Sequence, residues 1–214
     1  MNKHFYTIFA IIFLSQSPVL LIPQTLASQI ELSASLAYDN PLDKPLPDLT
    51  DGFGYGFSLG FLPFKTAGLS FGVNSTLHKI EAGRRPGSII HTNSRRVVIY
   101  FQSHYRLFTV KTTEFESYLG VSHNSINGGD STGSYLELPI DPEEIGYHGW
   151  GWEVGFGLKH PIQSGYFVIF NIKYNFIRYS TRQFLEWKYN SNIKGKSLMF
   201  NLGVLYRVEI SKLL

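Results

Sequence analysis

Residues 52–61 read GFGYGFSLGF, and this stretch decides the fold. From Gly52 to Phe61, glycine or serine occupies each even position, and an aromatic ring or leucine occupies each odd position. Successive side chains of a β-strand point to opposite faces. The stretch therefore predicts a strand with one apolar, ring-rich face and one face that is almost bare of side chains.

The same period of two recurs along the chain from about residue 30. It predicts eight strands, near residues 30–39, 52–62, 66–78, 95–107, 113–124, 149–160, 165–178 and 197–210. The seventh is less regular, because its more polar face also carries three apolar residues, Phe167, Ile169 and Ile177. Eight alternating strands predict an all-β fold, a single antiparallel up-and-down barrel.

The glycines indicate which face points into the barrel. A soluble barrel keeps its apolar side chains inside, whereas a transmembrane barrel reverses the two faces. Glycine on a water-facing strand surface weakens the strand and adds no packing. Inside a narrow eight-stranded barrel small residues are needed, because side chains from all strands share one volume. The apolar rows also carry rings near their ends, including Tyr38, Trp150 and Tyr206, as interfacial aromatic girdles do. We therefore expect the ring-rich face to contact lipid, with a soluble barrel as the alternative.

The connections between the predicted strands alternate between long and short. The long ones cover about residues 40–51, 79–94, 125–148 and 179–196, and the short ones about 63–65, 108–112 and 161–164. An even-numbered barrel with both ends in the periplasm has short periplasmic turns and longer external loops in this order. The alternation therefore favours an outer-membrane location.

The first 28 residues predict a signal peptide, which leaves residues 29–214 as the barrel domain. Lys3 and His4 precede an apolar run, residues 5–14, and Thr25-Leu26-Ala27 resembles a cleavage site, with cut positions after Ala27 or Ser28. The alternative is a membrane anchor over residues 5–22. That run is interrupted by Ser15-Gln16-Ser17-Pro18, and no later segment approaches 18 uninterrupted apolar residues.

Composition excludes several classes of function. The net charge of +3 is small and its basic residues are scattered, so nucleic acid is not an expected partner. The chain has no cysteine, which removes disulfides, thiolate metal sites and cysteine nucleophiles. His78, His104 and His148 lack metal-ligand spacing, and the Gly-x-Gly repeats suit strand packing rather than phosphate binding. We expect no cofactor and no metal.

In strand number, facial alternation, glycine-rich rows and loop asymmetry, residues 29–214 resemble the small eight-stranded outer-membrane barrels, the family of OmpX and the transmembrane domain of OmpA. The resemblance implies partners in outer-membrane lipid, lipopolysaccharide and the barrel assembly machinery, and a monomer. Members commonly end in phenylalanine as an assembly signal, whereas this chain ends Ile210-Ser211-Lys212-Leu213-Leu214. Either Ile210 closes the last strand or recognition differs. We expect no peptidoglycan-binding domain after the barrel.

Charged residues on the glycine-rich faces predict an ion-paired plug in the lumen. The plug consists of Glu31, Arg106, Glu114, Glu116, Glu153, Lys159, Lys173, Arg207 and Glu209; Arg96 also points inward in this pattern. The hairpin near residue 110 places Arg106 across from Glu114 or Glu116, and the one near residue 163 places Glu153 across from Lys173. Charges inside a filled barrel must be paired, because isolated buried ions are costly. The alternative is an ion pathway or gated pore.

Two surface sites are further hypotheses. Arg84, Arg85, Arg95 and Arg96, in or beside the second long connection, are candidate contacts for lipopolysaccharide phosphates; ordinary solvated charge is the alternative. His123 and Ser125, with Glu137 or Glu153 as the orienting acid, suggest a lipid A deacylase. The alternative is an interfacial histidine at a strand end.

Together these patterns predict a non-enzymatic protein of the bacterial outer membrane. Its loops would serve membrane integrity or adhesion through an extracellular ligand that the sequence does not identify. The competing functions are a narrow channel for small solutes and a lipid A-modifying enzyme.

Overall fold

The barrel strands are longer than their sequence pattern predicts. The structure is a computed structural model that describes residues 26–43, 50–85, 88–128, 146–184 and 187–210. These residues form eight strands: β1 (Leu26–Asp43), β2 (Gly52–Phe64), β3 (Ala67–Arg85), β4 (Ser88–Val110), β5 (Thr113–Gly128), β6 (Gly146–Gln163), β7 (Tyr166–Phe184) and β8 (Trp187–Glu209).

The strands close into one up-and-down barrel. Each strand pairs antiparallel with its neighbours in sequence, and β1 also pairs with β8. Directly paired residues, followed once around the barrel from Glu31, lead to Pro41, ten residues further along β1. Closure with such a shift requires the strands to tilt, typically by about 35–45°. The predicted all-β fold of eight antiparallel strands is confirmed.

The ring-rich faces form the outside of the barrel. Phe53 is 69% exposed, and the rings at positions 55, 57, 61, 71, 101, 150, 152 and 156 are also exposed. An apolar surface that surrounds the molecule in this way is unstable in water and suits contact with lipid. The predicted orientation is therefore confirmed, and the soluble alternative, in which these rings would be central, is wrong.

The glycine faces line the lumen, where large polar side chains fill the space above them. A Cβ added at Gly68 would lie 2.6 Å from His104 Nε2, and one added at Gly72 would overlap the Tyr100 ring. Glycine at these positions admits the larger side chains of neighbouring strands. The irregular face of β7 also points inward, because Ile169 and Ile177 are buried in the lumen.

One end of the barrel carries three tight turns, and we call it the turn end. Only two residues separate β2 from β3, β4 from β5, and β6 from β7. Lys111 and Gly165, in the second and third of these turns, have positive φ angles of 55° and 79°, a backbone conformation common in two-residue hairpin turns. The opposite end, which carries the other connections, is the loop end.

Two predicted long loops are largely strand. Residues 79–85 and 88–94 continue β3 and β4 as a paired ribbon up to Arg85 opposite Ser88. Similarly, β7 and β8 stay paired up to Phe184 opposite Trp187. The prediction that residues 79–94 and 179–196 are loops was therefore wrong, because backbone pairing continues where the alternation of side chains fades.

Most of the predicted signal peptide lies outside the described residues, which begin at Leu26. Residues 26–28 lie at the start of β1, and cleavage after Ala27 or Ser28 stays a prediction. None of the described residues forms a helix long and apolar enough to cross a membrane.

Candidate functional site

The inward faces of seven strands, all except the glycine-rich β2, place polar side chains in the lumen at three levels. The turn-end tier consists of Glu31, His104, Arg106, Glu114, Glu116, Lys159 and Arg207. The middle tier consists of Tyr100, Tyr118, Glu153 and Lys173. The loop-end tier consists of Asp39, His78, Arg96, Asn124 and Ser197. All but two of these side chains are buried, the half-buried ones being Arg106 and Arg207.

In the turn-end tier, carboxylates and cations alternate. Lys159 Nζ lies 2.8 Å from Glu31 Oε2 and 2.9 Å from Glu116 Oε2. Arg207 contacts Glu31 at 2.7 Å and donates two hydrogen bonds to Glu114, at 2.7 and 3.0 Å.

Arg106 and His104 complete this tier. Arg106 contacts Glu114 at 2.8 Å, so that the three carboxylates of the tier face three basic side chains, those of Lys159, Arg106 and Arg207. His104 Nδ1 lies 3.4 Å from Glu116 Oε2. The tier has no net charge when His104 is neutral, and each buried ion is compensated locally, as the low dielectric of the interior demands.

The middle tier combines an ion pair with two phenol rings. Lys173 Nζ lies 3.9 Å from Glu153 Oε2 and 3.6 Å from the centroid of the Tyr100 ring. A cation above a ring face is attracted by the ring quadrupole, more strongly when both are desolvated. Tyr118 donates to Asn171 Oδ1 at 3.0 Å and lies 3.2 Å from Glu116 Oε2. This phenol links the middle tier to the turn-end tier.

Arg96 organises the loop-end tier. Its guanidinium binds Asp39 Oδ2, and it donates to Ser197 Oγ at 2.8 Å and to Asn124 Oδ1 at 2.7 Å. His78 Nε2 lies 3.3 Å from the same Asp39 oxygen. His78 Nδ1 donates to the Thr50 carbonyl at 2.8 Å. These bonds join strands on several sides of the lumen to Thr50, which lies two residues before β2.

Among the described residues, a small cavity lies in the lumen between the turn-end and middle tiers. Its volume is about 30 Å³, and its lining includes Ser70, Gln102 and His104. Each of these three residues has a buried polar atom without a hydrogen-bond partner among the described residues. The space suits one or two water molecules that would satisfy them, and it is too small for a solute.

The structure brings together eight of the nine residues predicted to form the plug. The exception is Glu209, which is exposed. It lies beyond Arg207 at the turn end, past the last tier of the lumen, so its inclusion in the plug was wrong. Arg106 is paired in register with Glu116, but its ion pair is with Glu114.

The predicted pairing of Glu153 with Lys173 needs one correction. Glu153 lies directly opposite Asn175, and Lys173 lies opposite Gly155. The two charged groups therefore meet diagonally, at 3.9 Å, because the register differs by two residues from the one expected from the turn.

Sequence reasoning missed several polar members of the lumen. Asp39 continues the inward series that begins at Glu31, and His78 continues that of Asn74 and Thr76. The two-residue period could have found both. Nothing local in the sequence pairs Asp39 with Arg96, since the two residues are distant in the chain and meet only when the barrel closes.

The four arginines proposed to contact lipopolysaccharide separate in the structure. Arg95 is exposed on the outer wall, whereas Arg96 is 1% exposed and bound to Asp39 in the lumen. Neighbouring residues of a strand must face opposite sides, so the lipopolysaccharide role of Arg96 was wrong. Arg84 and Arg85 lie in the β3–β4 ribbon, and their side chains lie outside the described residues.

His123 and Ser125 both lie on the outer wall near the loop end. The His123 ring is 5.2 Å from that of Trp150 and 6.2 Å from that of His148. Ser125 is opposite His148 and lies 3.3 Å from Asn127 Oδ1.

Glu153 does not fit the acid role proposed for this pair, because it is buried on the other side of the wall, in the lumen. The other proposed acid, Glu137, lies outside the described residues. Among the described residues, no group of three His, Asp or Glu side chains is arranged to hold a metal ion.

Comparison with known proteins identifies the fold of the chain. No protein-family model matches the chain, and no curated protein matches its sequence. Solved structures do match. A major outer membrane protein from Thermus thermophilus superposes with a TM-score of 0.60 and 14% identity, over 85% of this chain and all of that one. The fold is that of the small outer-membrane barrels.

Two further outer-membrane barrels show the same likeness. The outer membrane protein OprG from Pseudomonas aeruginosa has a TM-score of 0.58 and 10% identity, over 86% of this chain and 98% of that one. Ail, the attachment invasion locus protein of Yersinia pestis, was solved with the heparin analogue sucrose octasulfate. It has a TM-score of 0.50 and 13% identity, over 86% of this chain and 100% of that one. At such identities the shared feature is the barrel itself, which confirms the resemblance expected from the sequence.

Proposed function

We propose that this protein is a non-conducting barrel of the bacterial outer membrane, in which a sealed lumen makes the wall rigid and the loop end carries surface structures for membrane integrity or adhesion. The observation that carries this proposal is the sequence of three tiers in the lumen. A solute would have to displace ion pairs in the turn-end tier and again in the loop-end tier. Breaking a buried pair costs about 3–5 kcal/mol, so passage is strongly opposed.

The geometry of the loop end supports a surface role. Short turns face the periplasm in outer-membrane barrels, which would place the loop end outside the cell. The β3–β4 and β7–β8 ribbons lie at this end of the barrel. The backbone N–H of Thr50 donates to the Lys79 carbonyl at 2.9 Å and so fixes the base of the β3–β4 ribbon. Ail, a protein of attachment and invasion by its name, shares this architecture.

Conductance and surface function are tested separately. In planar bilayers at high salt we expect the purified barrel to show no discrete openings, and repeated openings of constant size would refute the sealed lumen.

In a deletion strain, the full chain should restore detergent resistance and attachment to surfaces. A variant with residues 81–91 removed keeps the barrel, so it should restore detergent resistance and lose attachment. Failure of the full chain to restore either property would refute the surface role.

The proposal treats the protein as non-enzymatic, and lipid A chemistry provides the test. Mass spectrometry of lipid A from cells with and without the protein should show the same acyl pattern. Loss of one acyl chain that depends on His123, checked with His123→Ala, would refute this part and support the deacylase alternative.

A further inference from the structure

A groove crosses the outer wall from β8 over β1 and β2 to β3. Its volume is about 550 Å³, which is within the range of ligand sites. Two rows of outward side chains line it, and the members of each row lie directly opposite one another on these four strands. The first row consists of Tyr206, Leu32, Leu59 and Phe71, and the second of Val204, Ala34, Phe57 and Val73.

The groove exists because β1 carries a small outward residue between two large ones. Leu32 and Leu36 are 51% and 72% exposed, whereas Ala34 between them is half-buried. Val204 and Val73, in the same row as Ala34, are also short. Since the pairing of β1 with both of its neighbours is continuous at Ala34, the groove is a depression among side chains and not an opening in the wall.

The height of the groove corresponds to one leaflet of a membrane. The ten-residue shift around eight strands makes each row rise by about 3 Å per strand, at about 3.3 Å per residue and a tilt of about 40°. Val204 lies about 5 Å above Tyr206 on this scale, and Val73, three strands away, lies about 14 Å above it. One leaflet of a hydrocarbon core has a thickness of about 15 Å. With the turn end in the periplasm, the groove faces the periplasmic leaflet.

This position makes an acyl chain the natural occupant. The groove is apolar and opens into hydrocarbon, and apolar cavities exclude water. Association inside a membrane depends on packing contacts, and a chain in the groove has such contacts below it and on both sides. The periplasmic leaflet of an outer membrane consists of phospholipid, whereas lipopolysaccharide occupies the other leaflet. The chain therefore belongs to a phospholipid.

Two tyrosines lie where the headgroup of this lipid would be. Tyr166 is directly opposite Tyr206, and their ring centroids are 4.8 Å apart. Both rings are exposed and line the turn-end side of the groove. Tyrosine is enriched at the level of lipid headgroups, and a phenol hydroxyl can donate a hydrogen bond to a phosphate or ester oxygen.

A second copy of the chain fits the groove less well. Two barrels in one membrane have the same orientation, so the axis of a two-fold dimer is parallel to the membrane normal and equal heights meet. The groove of one copy would face the groove of the other and enclose an apolar void of about twice its volume, which forfeits packing contacts.

We infer that the groove binds one acyl chain of a phospholipid from the periplasmic leaflet, with the hydroxyls of Tyr166 and Tyr206 bonded to its phosphate or ester oxygens. Such a lipid differs from the general lipid around the wall, because it occupies one fixed place on each barrel. The inference rests on the location and orientation in the proposed function, and it is independent of the sealed lumen and of adhesion.

The test counts the lipid that the folded barrel retains. Protein reconstituted with phosphatidylethanolamine and phosphatidylglycerol of equal chain length is released into detergent and analysed by native mass spectrometry. We expect one retained phospholipid per barrel, with little preference between the headgroups because the tyrosine hydroxyls are uncharged. Ala34→Phe places a ring in the groove and should reduce retention about tenfold or more. Tyr166→Phe with Tyr206→Phe leaves the groove open and should reduce it about fivefold.

Val121→Phe is the matched control, because it adds the same ring to the outer wall of β5, away from the groove, and should leave retention unchanged. Equal retention by the wild type and Ala34→Phe, or an equal loss in Val121→Phe, would show only general lipid contact and overturn the inference. A dimer mass that Ala34→Phe abolishes would assign the groove to a second copy and also overturn it. Gel mobility before and after boiling shows that each variant is folded. A wild type that fails to fold in lipid would instead refute the proposed location.

Discussion

Glu31 illustrates, at the scale of single residues, how this barrel tolerates ions in its interior. Its two carboxylate oxygens are divided between two cations, with Oε2 on Lys159 and Oε1 on Arg207. Each cation also contacts a second carboxylate. Desolvation of a single ion costs several kcal/mol, and here each ion is stabilised by two ions of opposite charge. The removal of one charged side chain should therefore leave two others without part of their stabilisation.

Glu31→Gln should destabilise the folded barrel by about 3–5 kcal/mol, because Lys159 and Arg207 then share too few negative charges in a buried site. Urea unfolding of the protein refolded in detergent micelles measures the change. Glu209→Gln is the matched control, because Glu209 lies at the same end of the barrel but is exposed. An equal loss of stability in the two variants would show that the tier is not energetically distinct.

Substitutions at Lys173 and Glu153 test whether the buried ion pair itself stabilises the barrel. The alternative is that stability is lost only when one of the two charges is left without the other. Lys173→Met alone leaves the Glu153 carboxylate buried without its cation, and should cost about 3–5 kcal/mol. Glu153→Gln added to it removes the isolated charge and should restore much of the loss, since apolar or neutral replacements of buried pairs are often tolerated. A double-mutant cycle in urea measures this. Additive losses would show that the two residues do not interact, despite the 3.9 Å contact.

Strand β2 shows what glycine does at the scale of an element. Its inward glycines differ in the space available to a methyl group. At Gly54 a Cβ would overlap the backbone carbonyl of Ser75, whereas at Gly60 the nearest atom is Glu31 Cβ at 3.3 Å. The glycines of the alternating pattern therefore mark positions where atoms of a neighbouring strand lie close to β2.

Gly54→Ala should lower stability by about 1–3 kcal/mol, because backbone atoms cannot move aside as flexible side chains can. Gly60→Ala should change stability little, since a small shift of Glu31 is offset by the reduced freedom of the unfolded chain. Urea midpoints of the two variants give the comparison. Two equal midpoints would show that the lumen adapts to added volume, contrary to the close packing of the glycine faces.

The sequence predicted the elements better than their bounds or their partners. Alternation identified all eight strands, because each has one face in lipid and one in the lumen throughout its membrane-spanning part. It failed in the β3–β4 ribbon, where the sequence of residues 79–94 loses its alternation but the backbone stays paired. It also missed the binding of Arg96 to Asp39, since a contact across the lumen depends on the shift around the closed barrel.

The whole molecule reverses the usual arrangement of a soluble protein, and lipid decides whether that arrangement is stable. Among the described residues, charged groups bond to one another in the lumen, while most phenylalanine and tryptophan rings lie on the outer wall. In water the exposed band would favour aggregation; in a bilayer the same band is solvated and every backbone polar group is satisfied by closure. The stability of the folded barrel therefore depends on contact between its outer wall and lipid. Tryptophan fluorescence can measure that contact.

Trp150 and Trp152 are 66% and 55% exposed on the outer wall, so bromine atoms on lipid acyl chains should quench most of their fluorescence. Trp187→Phe removes the third tryptophan of the chain and leaves these two as the reporters. In vesicles of brominated phosphatidylcholine we expect emission well below that in ordinary phosphatidylcholine, with stronger quenching of Trp152, which lies deeper in the apolar band. Single substitutions Trp150→Phe and Trp152→Phe separate the two signals. Equal emission in both lipids would place the rings away from the acyl chains and would contradict the lipid-facing orientation of the outer wall.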